Sequence, residues 1–315
     1  MNGQWNHKIF SVNKAGFDTL ALEIFRFQYE NNPVYNAYTR ALGINVLTVN
    51  SLAQIPFLPI SFFKTHKVAT SAFEPQAVFE SSGTTGVATS RHYIKDLLIY
   101  EESFLRGFEL FYGPVNEWCI IGLLPSYLER ENSSLVYMVN KLIGLSGNEG
   151  SGFYLDQFNA LKNLLLRQEE EGKKTLLIGV TFALLDFAES FSFPLKHTVI
   201  METGGMKGRR KEMIREDVHS KLKQSFQIAS IHSEYGMTEL LSQAYSKGNG
   251  FFQCPPWMKI MVRDEDDPFN LHDGSLLKNQ SNFSGALNVI DLANVYSCSF
   301  IATDDVGKLY KNGSF

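Results

Sequence analysis

Between about Phe73 and Ile231 short apolar runs alternate with amphipathic stretches, and this alternation leaves few folds open. The pattern predicts buried strands at Ala77–Phe79, Cys119–Leu124, Thr175–Gly179, Thr198–Met201 and Ile228–Ile231. Between them it predicts helices at Leu97–Phe111, Asp156–Glu170 and Thr181–Glu189, and a stretch 212–226 with Ile214, Val218 and Leu222 on one face. Such alternation argues for an α/β class with a largely parallel sheet covered on both sides. The glycine- and serine-rich run Lys141 to Gly152 reads as a loop.

The flanks have a different texture. Phe17, Leu20, Ile24 and Phe27 recur at helical spacing, and Asn31-Asn32-Pro33 ends that helix. Pro56, Pro59 and Ser61-Phe62-Phe63-Lys64 read as a connection packed on the next unit. After Gly250, Trp257–Val262, Ala286–Leu292 and Ser299–Thr303 read as strands joined by polar turns. The expected organisation is a helical segment over 1–75, an α/β core over 76–249, and a smaller β-rich subdomain over 250–315.

Composition removes several function classes. A net charge of −4 over 315 residues argues against nucleic acid or a membrane surface held by bulk electrostatics. The 25 phenylalanines and 13 tyrosines fit either an aromatic-lined binding interior or an aromatic-rich core. Cys119, Cys254 and Cys298 form no CxxC pair, so neither a disulfide framework nor a zinc site is expected. No run resembles a signal peptide or reaches spanning length, so the expected setting is cytoplasmic, with no membrane insertion.

Three short segments carry chemistry. Ser81-Ser82-Gly83-Thr84-Thr85-Gly86 follows a predicted strand, and its backbone N–H groups and hydroxyls could converge on a polyphosphate; it could equally be a surface turn. It is not a Walker motif, because no Gly-Lys-Ser/Thr closes it. Tyr235-Gly236-Met237-Thr238-Glu239 offers a ring to stack on a purine, a hydroxyl for a phosphate and a carboxylate for Mg²⁺. The alternative is a helix start, with Thr238 as cap and Glu239 on the favourable end of the dipole. Thr303-Asp304-Asp305-Val306-Gly307 offers a carboxylate that could hold both hydroxyls of a ribose, or else a turn-forming Asp pair. A fourth segment, Met201-Glu202-Thr203-Gly204-Gly205-Met206-Lys207-Gly208, follows a predicted strand and precedes Arg209, Arg210 and Lys211, a basic run that opposes the helix dipole and reads as solvated. No HxxxH pair and no G-x-S-x-G elbow occur, which argues against metal-centred and serine-hydrolase catalysis.

In this order the segments resemble those of the adenylate-forming (acyl-CoA synthetase, AMP-ligase) superfamily. Ser81–Gly86 looks like its phosphate loop, Tyr235–Glu239 like its Tyr-Gly-x-Thr-Glu motif, and Thr303–Gly307 like its Thr-Gly-Asp motif with Asp304 in place of the glycine. The segments Leu124–Arg130, Ser133–Met138 and Phe300–Gly307 look like the acyl-protein synthetase, LuxE-like branch. The resemblance implies the fold of that superfamily's N-terminal domain, with a β-rich subdomain at the C-terminal end and the mobile C-terminal domain absent.

It further implies an ATP- and Mg-dependent ligase that converts a carboxylic acid, here a fatty acid, to acyl-AMP and passes the acyl group to a protein thiol. A coenzyme A or aryl-CoA ligase, and a catalytically reduced nucleotide- or acyl-binding subunit, remain alternatives. Its implied partner is a reductase or acyl-transferase subunit. On this resemblance Ser81, Ser82, Gly83, Thr84, Thr85 and Gly86 hold phosphates, and Gly204 and Gly205 face adenine and the acyl group. Tyr235 and Gly236 bind adenine, Asp305 holds ribose, Thr238 acts on the α-phosphate and Glu239 binds Mg²⁺. Where many relatives carry a lysine after the phosphate loop, this chain has Arg91. Cys298, inside a predicted strand, reads as core rather than as an acyl acceptor.

Overall fold

A computed structural model of the chain describes residues 4–81, 89–124, 132–204, 213–264, 266–274 and 282–315. It is a mixed α/β structure whose residues cluster into two compact units. One comprises Met1–Phe104, Met237–Gln243 and Gln253–Phe315; the other comprises Leu105–Gly236 and Ala244–Phe252.

The first unit joins the two ends of the sequence. Helix Phe17–Asn31 buries Phe17, Leu20, Ile24 and Phe25, and it ends where the Asn32-Pro33 pair predicts. Asn32 then caps the next helix, Pro33–Ala41, by accepting from the Tyr35 N–H at 3.0 Å, with Pro33 in the first turn. A five-stranded sheet gathers the late strands Met258–Arg263, Leu271–His272, Asn282–Asp291 and Phe300–Tyr310, and recruits Leu58–Pro59 from far upstream. That short strand runs parallel to Phe300–Tyr310, with Leu58 opposite Ile301 and Pro59 opposite Ala302. A separate antiparallel hairpin, Ala77–Glu80 with Arg91–Ile94, flanks the segment 82–88.

The strand Phe300–Tyr310 carries a bulge. Its partner Asn282–Asp291 pairs Ala286 with Val306 and Asn288 with Ala302, so Thr303, Asp304 and Asp305 face the single residue Leu287. Asp304 and Asp305 therefore lie within a strand rather than in a turn closing one.

The second unit is built on a six-stranded sheet. Strands Gly152–Phe153, Cys119–Leu123, Thr175–Gly179, Thr198–Glu202 and His232–Tyr235 run parallel in that spatial order, and Ala244–Ser246 adds an antiparallel edge. Cys119–Leu123 and Thr175–Gly179 are buried along their whole length, as near-continuous apolar strands of a covered parallel sheet should be. Helix Thr181–Ser190 lies against helix Arg215–Phe226, where Phe187 and Phe226 stack at 5.7 Å.

Two local expectations change. The strand expected at Ile228–Ile231 lies at His232–Tyr235, because Gln227 ends the preceding helix in the left-handed region at φ 51° and the apolar run serves as the connection. The expected loop Lys141 to Gly152 is helical as far as Ser146: helix Ser134–Ser146 starts from the Ser133 cap and stops only at Gly147, whose φ of 62° suits glycine. Among the described residues no helix is long and apolar enough to cross a membrane.

Candidate functional site

Within the first unit Ser81, Thr238 and Asp305, one residue from each of the three sequence segments, are linked to the buried carboxylate of Glu239. Ser81 and Ser90 close the base of the expected phosphate loop: the Ser81 N–H donates to the Ser90 carbonyl at 3.1 Å, and the Ser90 N–H donates to Ser81 Oγ at 2.9 Å. Ser82, Gly83, Thr84, Thr85 and Gly86, which complete that loop, lie outside the described residues. The Ser90 hydroxyl in turn hydrogen-bonds Glu239. One serine thus connects the hairpin to the second segment.

The second segment is a turn, not a helix start. The Leu240 N–H donates to the Met237 carbonyl at 3.1 Å, and Thr238 caps nothing. Its shape is imposed from outside. His92 Nδ1 lies 2.9 Å from the Thr238 carbonyl and must carry the proton, since a carbonyl only accepts. Asn294 Nδ2 donates to the Glu239 carbonyl at 2.8 Å. The Asp291 carboxylate accepts from the Leu241 and Ser242 N–H groups at 2.8 and 2.9 Å. Burial pushes the Asp291 carboxyl up to about 6 against these bonds, and burial lowers His92 to about 4, keeping the ring neutral.

Glu239 is buried, and its carboxyl is raised above the ordinary value. Burial is the main cause; the Ser90 hydrogen bond and the positive charge of Lys64 oppose it, while the negative charge of Asp305 adds to it. Asp305 reaches this neighbourhood from the bulge. The Thr303 hydroxyl donates to the Leu287 carbonyl at 2.8 Å and accepts from the Asp305 N–H at 3.2 Å, which fixes the backbone beneath an exposed carboxylate. Bulges beside sites commonly re-aim a side chain in this way. Asp304 instead lines a separate cavity of about 750 Å³ with Tyr38, Phe57, Arg263 and Phe269, which contains neither Glu239 nor Asp305.

Among the described residues no group of three or more His, Cys, Asp or Glu side chains is placed to hold a metal ion. Buried Glu239 nonetheless offers one carboxylate, and Mg²⁺ keeps several waters and binds through one or two carboxylates together with substrate phosphates.

The remaining expected residues lie in the second unit, at the carboxyl ends of its parallel strands. Glu202 ends Thr198–Glu202 and is buried in a polar cluster. It accepts from the Gly204 N–H at 2.8 Å and from Thr181 Oγ1 at 3.3 Å, with Arg215 Nε at 3.4 Å and His219 Nε2 at 3.6 Å. Burial works to raise this carboxyl, but the bonds from His219, Ser233 and Gly204 and the charge of Arg215 outweigh it and hold it at about 2. Gly204, at φ 74°, has its N–H committed to Glu202; Gly205 is outside the described residues. Tyr235 ends its strand half-buried, edge-on to Phe252 at 6.0 Å, and Phe252 lies under the Arg215 guanidinium at 5.0 Å. Gly236 follows it, exposed.

Sequence reasoning missed Ser90, Asp291, Asn294 and Glu202. None carries a motif signal; each acts by holding another residue through contacts distant in the chain.

No protein-family model matches the chain, and no curated protein matches it. Among solved structures it is similar to coronafacic acid ligase from Pectobacterium brasiliense, at 15% identity and a TM-score of 0.42 over 69% of this chain and 42% of the other. It is also similar to the amide bond synthetase McbA from Marinactinospora thermotolerans, at 15% identity and a TM-score of 0.47 over 90% of this chain and 57% of the other. The chain therefore spans about half the length of these proteins. With likenesses this distant, the function rests on the residues themselves.

Proposed function

We propose that the chain belongs to the adenylate-forming ligases and activates a carboxylic acid with ATP, giving an acyl-adenylate and pyrophosphate. The observation that carries this is the convergence, within one unit, of the Ser81–Ser90 loop base, the buried Glu239 and the bulge-borne Asp305, linked by the Ser90 hydroxyl and by the charge of Asp305 on Glu239.

The acid's carboxylate oxygen bonds to the α-phosphorus as the bond from that phosphorus to the bridging oxygen breaks, and pyrophosphate leaves with the electron pair. Such chemistry needs positioning and charge stabilisation more than proton transfer. Asp305 accepts from the ribose hydroxyls, Thr238 donates to the α-phosphate, and Ser81 with Ser82, Gly83, Thr84, Thr85 and Gly86 cradles the leaving phosphates. Mg²⁺, when held by Glu239, supplies charge neutralisation to those phosphates. Tyr235 and Gly236 for adenine, and Gly204 and Gly205 for the adenine and acyl side, are carried as roles that substitution can test.

The finer reading is a fatty acid as substrate and a protein thiol as acceptor, with a reductase or acyl-transferase subunit as partner. The acceptor lies outside these residues. Burial raises all three thiols, Cys119, Cys254 and Cys298, with Cys298 at about 12, so none is a ready nucleophile.

The test is ATP–pyrophosphate exchange with Mg²⁺ across fatty and aromatic acids, together with AMP binding by calorimetry. Exchange that depends on one acid class is the expected result. AMP binding without exchange for any acid would favour a nucleotide-binding subunit, and the absence of both would overturn the reading.

A further inference from the structure

The segment 58–66 is fastened to both halves of the first unit's site, yet it leaves one cation unused. Upstream, Leu58–Pro59 pairs with Ile301–Ala302, and the Ile60 N–H donates to the Ala302 carbonyl at 2.9 Å, one residue before the bulge that presents Asp305. Downstream, in the short helix Phe62–Thr65, buried Phe63 sets its ring edge-on to His92 at 5.7 Å. This is the histidine that holds the Thr238 carbonyl. On either side Phe62 is gripped by Tyr38, at 5.6 Å, and by His66, stacked at 5.0 Å. Lys64 follows these two anchored rings, exposed, and its ammonium has no hydrogen bond or ion pair among the described residues.

Two neighbouring arginines are already engaged. Arg91 is engaged by Glu80 at 3.1 Å. Arg263 donates to the Leu287 carbonyl at 3.0 Å, to Asn288 Oδ1 and to the Thr303 carbonyl. Against them stand the carboxylates of Glu239 and Asp305, in a site read as binding a polyanion. A compact ammonium on a flexible stem is the group that meets phosphate as a point charge.

We infer that Lys64 is a further catalytic residue, contacting the β- and γ-phosphates of ATP and countering the charge that collects on pyrophosphate as it leaves. The inference rests on the nucleotide reading above. No proton moves in the step it assists.

The experiment measures binding of ATP, inorganic pyrophosphate and AMP to the intact chain and to Lys64→Ala and Lys64→Arg, by calorimetry with Mg²⁺ present. Alanine is a good helix former at an exposed site, so the fold should survive the change. ATP and pyrophosphate should weaken about tenfold in Lys64→Ala, the scale of one charge-assisted hydrogen bond, while AMP stays within about twofold. Lys64→Arg should recover most of the loss. Unchanged ATP and pyrophosphate affinity in Lys64→Ala, or an equal loss for all three probes, would overturn the role of Lys64 alone. An intact chain that binds neither ATP nor pyrophosphate would overturn the nucleotide reading with it.

Discussion

Asp305 shows how much a single side chain can depend on its backbone. Its carboxylate is exposed, so its position comes from the Thr303–Leu287 hydrogen bond and the bulge beneath it rather than from packing. If it holds ribose, Asp305→Ala should weaken ATP and AMP alike by about tenfold, roughly 1.4 kcal/mol. Calorimetry on both nucleotides decides this, and unaltered affinity for both would remove Asp305 from the site. The contrast with Lys64→Ala, which should spare AMP, separates the ribose end of the nucleotide from the phosphate end.

At the scale of elements, the sheet behind the bulge is closely packed at Gly285. A Cβ there would come within 2.3 Å of the Arg263 carbonyl oxygen and 2.8 Å of Val262 Cγ1. Backbone cannot yield as a flexible side chain can, so Gly285→Ala should cost roughly 1–3 kcal/mol. The denaturant midpoint should fall accordingly; a midpoint equal to the parent's would mean that the strands part there at little cost. The buried parallel strands were legible because unbroken apolar runs such as Thr175–Gly179 have one economical use. The strand His232–Tyr235 was not, because its buried residues Ser233 and Glu234 are polar and belong among the partners of Glu202. Likewise the segments around Ser81, Glu239 and Asp305 could be picked out by composition. What holds them could not: Asn294, Asp291 and His92 reach the Thr238–Glu239 turn from 55, 50 and 146 positions away.

For the whole molecule the buried ionisable groups set a stability curve that is level on the acid side and falls on the alkaline side. Burial lowers His92 and His232 from 6.5 to about 4, so below about pH 6.5 the unfolded chain takes up protons that the fold refuses. Their contribution to stability falls as pH drops through that interval. Burial, with the charge of Glu202, raises Glu234 from 4.5 to about 8, and burial raises Asp291 from 3.8 to about 6. Here the fold keeps protons that the unfolded chain releases, so stability should also fall as pH rises, through Asp291 first and up to about pH 8 through Glu234. Each fully engaged proton contributes about 1.4 kcal/mol per pH unit. Between about pH 4.5 and 6 the two histidines and the two carboxyls act in opposite directions and nearly cancel. Denaturant midpoints at pH 5 and 6.5 should therefore lie close together and the midpoint at pH 8 lower, with Glu234→Gln abolishing that alkaline fall. An unchanged midpoint from pH 6.5 to 8 in the parent chain would contradict the burial of a neutral Glu234.

The bulge also carries an arithmetic consequence. Between Ala302 and Val306 the strand holds three residues where its partner holds one, a surplus of two. Residues beyond it keep the facing they would have had in a regular ladder, with Leu309 inward and Lys308 outward. Losing one of Thr303, Asp304 and Asp305 would leave two residues against Leu287, an ordinary one-residue bulge, and losing two would smooth the strand. In either case the run from Val306 to Tyr310 keeps its partners, so the loop of chain that carries Asp305 can change length without disturbing the sheet beyond it.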